Sequence, residues 1–513
     1  MRARIVIATL GTFIVCVPTA CHRLGRSADR CPVDLVAARR SATLVVSEPV
    51  VAVKKKAWER AFGGEAAAIP HIRARLVGWP QHLLADTAAL PSADHTFALR
   101  VARDTWRGLD ALSDRENGLP IDNVRFDNGS VAVPPARIGD YTSGTNIAMR
   151  LVALVAAHEL QLVSEAEAVE KIRRLLDTLG QLETYRGFLF NFYDTTSLER
   201  TSNFVSFVDT SWLTAGLMVV RSAFPALAAA CSSVIAHTDF SFFYDRATQR
   251  MSHGYYVNLG RRSPYDYGML YTEARLGSLI AIGKGDVPEA QWFEMIRTFP
   301  AECGGQLLAP QATRIKRVRG HAVTAGYYEW QGLRYVPSWG GSMFEALMPT
   351  LLLDEQRYAP RSLGANDAVH ALVQQRFASA ELAYPVWGLS PSAMPSGDSY
   401  GEYGVPILGV RGYPAGAVTP HASALALAAT PAAALANLRA LAQRYAIYGE
   451  YGFHDAVDPF TGAVAYQYLA LDQSMLFIAL ANALNDQCIQ KYFASDPISQ
   501  KVLPMIDEEN FFD

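Results

Sequence analysis

Residues 140–160 read DYTSGTNIAMRLVALVAAHEL. The apolar residues return at the spacing of a helix rather than alternating, which predicts a helix over about 145–161. Working outward, the same periodicity recurs at about 96–113, 164–184, 209–223, 225–237, 272–284, 342–354, 362–382, 420–428, 430–447 and 469–485, roughly a dozen helices in all. Ser164 precedes Glu167 in a capping-box pattern, and Thr430-Pro431 opens a helix rich in alanine. Strand-like text is confined to connectors near 186–193, 251–258 and 321–337. Helices alternating with long, aromatic and Gly-rich connectors predict an all-α fold, an α/α toroid from about Thr96 to the C-terminus, with the site built by loops at one end. Before it, from about Val45 to Asp94, amphipathic text broken by Gly63-Gly64, Pro70, Pro80 and Pro91 predicts an N-terminal helical arm of short helices lying against the body.

Half of the 513 residues are hydrophobic, enough for a large core. Lys and Arg number 46 against 49 Asp and Glu, so the basic surface that nucleic acid requires is missing. At the N-terminus, Arg2 and Arg4 precede an apolar run from Ile5 to Val17, and Thr19-Ala20-Cys21 supplies a cleavage point. Residues 1–21 therefore read as a signal peptide, followed by an arm at 22–95 and the body at 96–513. The run is too short to cross a bilayer. Cys21 after Pro-Thr-Ala resembles a lipoprotein box, although Pro18 fits it poorly, so a lipid anchor at Cys21 and simple secretion both stay open. Either way the expected location is periplasmic or extracellular, with no membrane contact beyond that anchor. Cys16, Cys31, Cys231, Cys303 and Cys488 show no metal spacing, and export permits one or two disulfides.

The connectors carry the chemistry. YRGFLFNFYDTTSLER (185–200), NFVSFVDTSWLTAG (203–216), YDYGMLYTEARLGSLIAIGKGDVP (265–288), PSWGGSMFEALMP (337–349), VWGLSPSAMPSGDSYGEYGVP (386–406) and YGEYGFHDAVDPFTG (448–462) interleave acids with Tyr, Trp and Gly. Breaking a glycosidic bond needs one carboxyl held protonated for the leaving oxygen and a second held ionised to activate water or attack carbon. Aromatic rings stack on the apolar faces of sugars. Acids followed by aromatics also cap and close ordinary helices, so composition alone leaves both readings open.

The stretch from about Thr96 to Pro225 resembles the helical region of bacterial cyclic β-1,2-glucan synthases, on DYTSGTNIAMRLVALVAAHEL, YRGFLFNFYDTTSLE and VDTSWLTAGL. Downstream, YTEARLGSLIAIGKGDVP, SWGGSMFEALMPTLLLDE, GVPILGVRGYPAGAVTPHASALAL and YGEYGFHDAVDP resemble the glucoamylase-like family, which includes bacterial endo-β-1,2-glucanases. The resemblance implies an (α/α)6 toroid, a glycoside hydrolase acting on a β-linked glucan, and no cofactor or metal. It implies Glu273 as general acid and Asp455 as base of an inverting mechanism, with Asp209 touching sugar or the water chain. Each has a structural alternative: Glu273 as a helix cap or partner of Arg275, Asp455 as a turn cap, Asp209 as an N-cap. The synthases carry a second glutamate in a Gly-Ile-Ser-Glu-Ser motif, and here Pro391 stands in its place, which argues against a retaining mechanism.

Tyr193, Trp212, Trp339, Trp387 and Tyr400 are further candidates for sugar contact, each with a core or rim alternative. Asp398, Glu402 and Glu345 are carboxylates that could reach the cleft, Glu345 equally as a buried structural group. His253, His421 and His454 read as loop or core histidines. No Gly-rich phosphate loop and no Gly-x-Ser-x-Gly elbow occurs in a strand-turn-helix setting. The expectation is an exported, endo-acting glycoside hydrolase for a β-1,2-glucan. Its alternatives are a non-catalytic glycan-binding or assembly protein, or an enzyme for another exopolysaccharide.

Overall fold

The computed structural model describes residues 61–126, 131, 137–300, 306–397 and 399–513. The leader, Cys16, Cys21, Cys31, Cys303 and Asp398 lie outside them.

The most apolar helices face protein on every side. Gly144–Glu159 is buried without a break from Gly144 to Ala157, and Phe207–Ala223 and Ala470–Leu484 are nearly as enclosed. A helix hydrophobic all round has no face for water, so these form the inner wall of a ring. Gly144–Glu159 packs on Phe207–Ala223 and Ala470–Leu484; Phe207–Ala223 packs on Arg275–Lys284; Ala470–Leu484 packs on Pro420–Leu425, which meets Met343–Leu347. Arg275 closes the remaining gap, reaching from its own helix to the Glu345 and Ala346 carbonyls. Amphipathic helices lie outside, among them Glu165–Leu179, which buries only Ala168, Ile172, Leu175, Leu176, Thr178 and Leu179. Ser164 accepts the Glu167 N–H as its N-cap. The result is a helical toroid.

The expectation of an all-α chain needs correction. Short antiparallel strands occur throughout the connectors, and Gln311–Val318, His321–Trp330 and Leu333–Tyr335 form an antiparallel sheet in one of them. Strands do lie in the connectors read as strand-like, 186–193, 251–258 and 321–337, while most of the others are only two or three residues long, below the length at which alternation registers. Helices Cys488–Ser495 and Pro497–Ile506 also extend the wall beyond the expected last helix.

The strands organise the loops. Asn123–Arg125 pairs with Arg137–Gly139 on one side and with Gln467–Leu469 on the other, tying the start of the body to its final inner helix. Bridges Ser338 to Gly409, Leu389 to Val418 and Val418 to Val457 gather three of the acid-bearing connectors at one end of the ring. The helix Glu65–Arg75 sits on a satellite core in which Ile69, Ile72 and Leu76 meet Ala111, Ile121, Tyr451 and Tyr468. Arg75 pairs with the buried Asp114 at 2.6 Å. Cys231 and Cys488 are buried free thiols. No helix among the described residues is long and apolar enough to cross a membrane.

Candidate active site

Glu273 sits in the turn just before Arg275–Lys284, at the end of the ring where the connectors gather. It is 4% exposed. Burial, reinforced by the negative field of Glu345, pushes its carboxyl up to about 8. Arg275 does not pair with it: the guanidinium is spent on both oxygens of Glu355 at 2.8 Å and on backbone carbonyls. The structure therefore removes the salt-bridge alternative for Glu273. Tyr267 lies in the field of both Glu273 and Asp209.

Glu345 is the opposite kind of carboxyl. It is the third residue of its helix, in a capping box with Ser342, and it accepts from Ser338 Oγ, the Gly340 N–H, the Ser342 N–H and Ser342 Oγ at 3.0–3.2 Å. Burial raises it and these donors oppose the rise. Its field reaches Glu402, whose own field reaches Tyr400, and Tyr400 lies in turn in the fields of Asp472, Asp455 and Asp122. The acids of separate connectors thus form one continuous cluster.

Asp455 accepts the Ala393 N–H at 2.6 Å, and its Oδ1 has no partner besides its neighbour Asp472. Both carboxyls are 2% exposed. Two buried carboxyls in contact cannot both ionise, and each is held well above the ordinary range, first by burial. The pair therefore holds at least one proton. His421 Nδ1 is 3.1 Å from Asp472 Oδ2, and its Nε2 is 3.0 Å from Ser390 Oγ. Ser390 Oγ also accepts the Phe344 N–H, which fixes it between that backbone and the imidazole. Burial lowers His421 to about 4, so it is neutral. These three side chains also have the spacing a cation could use, one ligand atom of each lying within 4.8 Å of the others.

Two readings change here. Asp455 is not a lone carboxylate, because it is enclosed and paired with Asp472. His421 is not a plain core histidine. Sequence reading missed Asp472 altogether, since LALDQSML presents it as one acid opening an apolar helix; the signal available was its place in the first turn of a wholly buried helix.

Asp209 is not the N-cap of its helix. Ser206 is, and Asp209 accepts from Thr145 Oγ1 at 2.7 Å. Tyr193 is fully buried with its hydroxyl donating to the Glu183 carbonyl, and Trp212 is a core residue. Trp339 packs with Met269, Phe299 and Val410. Trp387 is half-buried, with its backbone N–H and carbonyl both held by Asn437. Glu402 is exposed and Tyr400 half-buried beside the acids.

Residues 317–497 match the family model described as "Putative glucoamylase", and residues 100–258 match a family described as a protein of unknown function, DUF3131. A cyclic β-(1,2)-glucan synthase, NdvB, of Rhizobium meliloti is 25% identical over 560 aligned positions, covering 80% of this chain and 18% of the synthase. The chain thus spans under a fifth of that relative's length. An endo-β-1,2-glucanase of Chitinophaga pinensis, solved with sophorotriose and glucose, shares the fold at a TM-score of 0.62 and 18% identity, over 81% of this chain and 99% of that one. The endo-β-1,2-glucanase of Talaromyces funiculosus, solved with sophorose, gives 0.62 at 13% identity, over 82% and 92%. The segment 317–497 is thus similar to the glucoamylase-like proteins, and the chain shares its fold with solved endo-β-1,2-glucanases.

Proposed function

We propose that the protein is a glycoside hydrolase that cleaves a β-1,2-linked glucan within the chain, with Glu273 as general acid and the Asp455–Asp472 pair as base, on a toroid of six inner and six outer helices. One observation supports it above the rest: Glu273 is a buried carboxyl with no salt bridge, pushed up to about 8 by burial and by Glu345 against the weaker pull of Arg275, which favours the protonated state a leaving-group acid requires. The base side follows from the pair. Once the dyad has lost one of its protons it carries one negative charge, and it can then take a proton from water or from a sugar hydroxyl that relays it. The substrate class rests on the names of the three relatives, a β-1,2-glucan synthase and two endo-β-1,2-glucanases.

The synthase kinship supports a second reading, transfer of the cleaved glucan to another sugar rather than to water. Pro391, where the resemblance expects the synthases' second glutamate, speaks against it. Purified protein incubated with linear β-1,2-glucan and with β-1,3-, β-1,4- and α-linked glucans distinguishes these. Short β-1,2-oligosaccharides with inverted anomeric configuration by NMR in the first minutes are expected. Retained configuration would exclude the dyad as base, and no product from any glucan would exclude hydrolysis.

A further inference from the structure

The connector that carries Asp455 runs on into a hairpin, Ala456–Val457 pairing with Val464–Ala465. Its turn is tied by its own side chains: Asp458 Oδ1 accepts the Phe460 and Thr461 N–H groups, Thr461 Oγ1 accepts the Ala463 N–H, and Gly462 takes a left-handed φ of +74°. From outside the turn, the Tyr445 hydroxyl donates to the Pro459 carbonyl at 3.2 Å. A turn bonded at this many points holds its tip in place. At the tip is Phe460, which at 73% is the most exposed large hydrophobic side chain among the described residues.

A single exposed apolar residue is common and needs no function. Phe460 is set apart by what lies behind it. Its ring meets that of Tyr384 edge to face at 4.9 Å. The Tyr384 hydroxyl donates to the Gly416 carbonyl at 3.3 Å, and Gly416 lies so close under Tyr403 that a Cβ there would run into the ring. Tyr403, half-buried, packs in turn on Ala393, Ala417, Ala456 and Ala465. Ala393 gives its N–H to Asp455, and Ala456 follows Asp455 in the chain. Three rings therefore lead outward from the dyad, the innermost next to Glu402 and the outermost in solvent. They stand where the outer helices Leu363–Ala380 and Pro431–Arg444 give way to the connectors that hold the acids. Five residues of chain reach at most roughly 18 Å, which bounds the separation of Asp455 and Phe460 along the backbone. A phenyl ring has no hydrogen-bonding group to satisfy and offers a flat face to the C–H groups of a sugar.

We propose that Phe460, backed by Tyr384 and Tyr403, is a platform for glucan units remote from the bond being cleaved, holding a long chain at a second point while the reacting linkage lies at Glu273 and the dyad. This rests on the reading of the protein as a β-1,2-glucanase. Only a chain long enough to span from the dyad to the hairpin engages the ring, so the contact separates long substrates from short ones.

Calorimetry in the Glu273→Gln background reads binding without cleavage, with linear β-1,2-glucan as the long probe and sophorotriose as the short one. Phe460→Ala should weaken the polymer at least fivefold and leave sophorotriose unchanged, with Tm matching the parent, and Phe460→Trp should restore polymer binding. Polymer binding unaltered by Phe460→Ala would overturn the platform and leave cleavage of β-1,2-glucan by the parent as it stands. An equal loss for both probes would overturn it by placing Phe460 at the cleavage site, and a loss that Phe460→Trp does not restore would assign the effect to the turn rather than the ring. Length-dependent binding together with no oligosaccharide released by the parent would sink hydrolysis and keep the platform. No binding of the polymer would overturn both.

Discussion

Asp455 and Asp472 lie carboxyl to carboxyl inside the ring, the first anchored by the Ala393 N–H and the second touched by His421. Their contact makes the pair's titration, not that of Asp455 alone, set the acid limb of a pH–rate profile. Replacing Asp472 by Asn removes the like charge and offers a donor, so Asp455 ionises more readily. The acid limb of kcat/KM for Asp472→Asn should move to lower pH, while Asp455→Asn should lose roughly 10²–10⁴-fold in rate at every pH. An unmoved limb would separate Asp472 from the base. Rate that depends on added calcium or manganese, and is lost to EDTA, would replace the proton by a cation.

Glu273 makes the basic side of the same profile. Protonated below about 8, it should give an activity that falls as pH rises through that value. The linkage to stability runs the same way: a carboxyl whose folded value exceeds its unfolded value of 4.5 binds more protons in the folded state, so its burial costs most once pH passes 8. Glu273→Gln should therefore abolish cleavage of natural glucan yet raise Tm, little at pH 5 and clearly at pH 9, where the gain in unfolding free energy is on the order of a few kcal/mol. An activated aryl glycoside, needing less help for its leaving group, should keep more of its turnover. A Tm gain equal at both pH values would mean that Glu273 is ionised in the folded protein throughout.

Arg275 holds two segments of the ring together, being fully buried and bonded to Glu355 and to the Thr272 and Ala346 carbonyls. Arg275→Met should cost about 3–5 kcal/mol in urea unfolding, since it strands Glu355 without a counter-ion. Adding Glu355→Met should recover much of that loss. A double variant no better than the single one would show that the carbonyl contacts, rather than the ion pair, dominate.

Gly341 occupies the left-handed region at φ +79°, and a Cβ there would run into the Val405 carbonyl oxygen. It belongs to the turn whose Ser338, Gly340 and Ser342 donors hold Glu345. Gly341→Ala should lower both Tm and kcat, the second because the turn that orients Glu345 must move. A variant with parental kcat would place Glu345 outside the reaction.

How much of this was legible in the chain differs by level. The inner helices were, because a run such as 140–160 carries its burial in its own periodicity. Glu273 and Asp455 stood out through their motifs, but their protonation did not, because it depends on Glu345 and Asp472, which are 72 and 17 residues away in sequence. The many two-residue strands escaped notice for a different reason: a ladder as short as that of Ser392 and Ala393 with Gly401 and Tyr400 leaves no alternation to read. Tyr193 and Trp212 looked like sugar contacts by composition alone, and an aromatic beside an acid does not say which way its ring points.

The strand Asn123–Arg125 has its second partner at Gln467–Leu469. During synthesis the first strand is made long before the second, and at 5–20 residues per second the gap of about 340 residues takes roughly 17–70 s. Through that interval one edge of the strand, with its row of backbone donors and acceptors, has nothing to pair with, and the apolar faces of the first inner helices lack the last one. The segments 100–258 and 317–497, which match two separate families, are then arcs of one ring that becomes a folding unit only when its end arrives. A ribosome stalled before residue 467 should display a protease-sensitive chain, however complete its early helices.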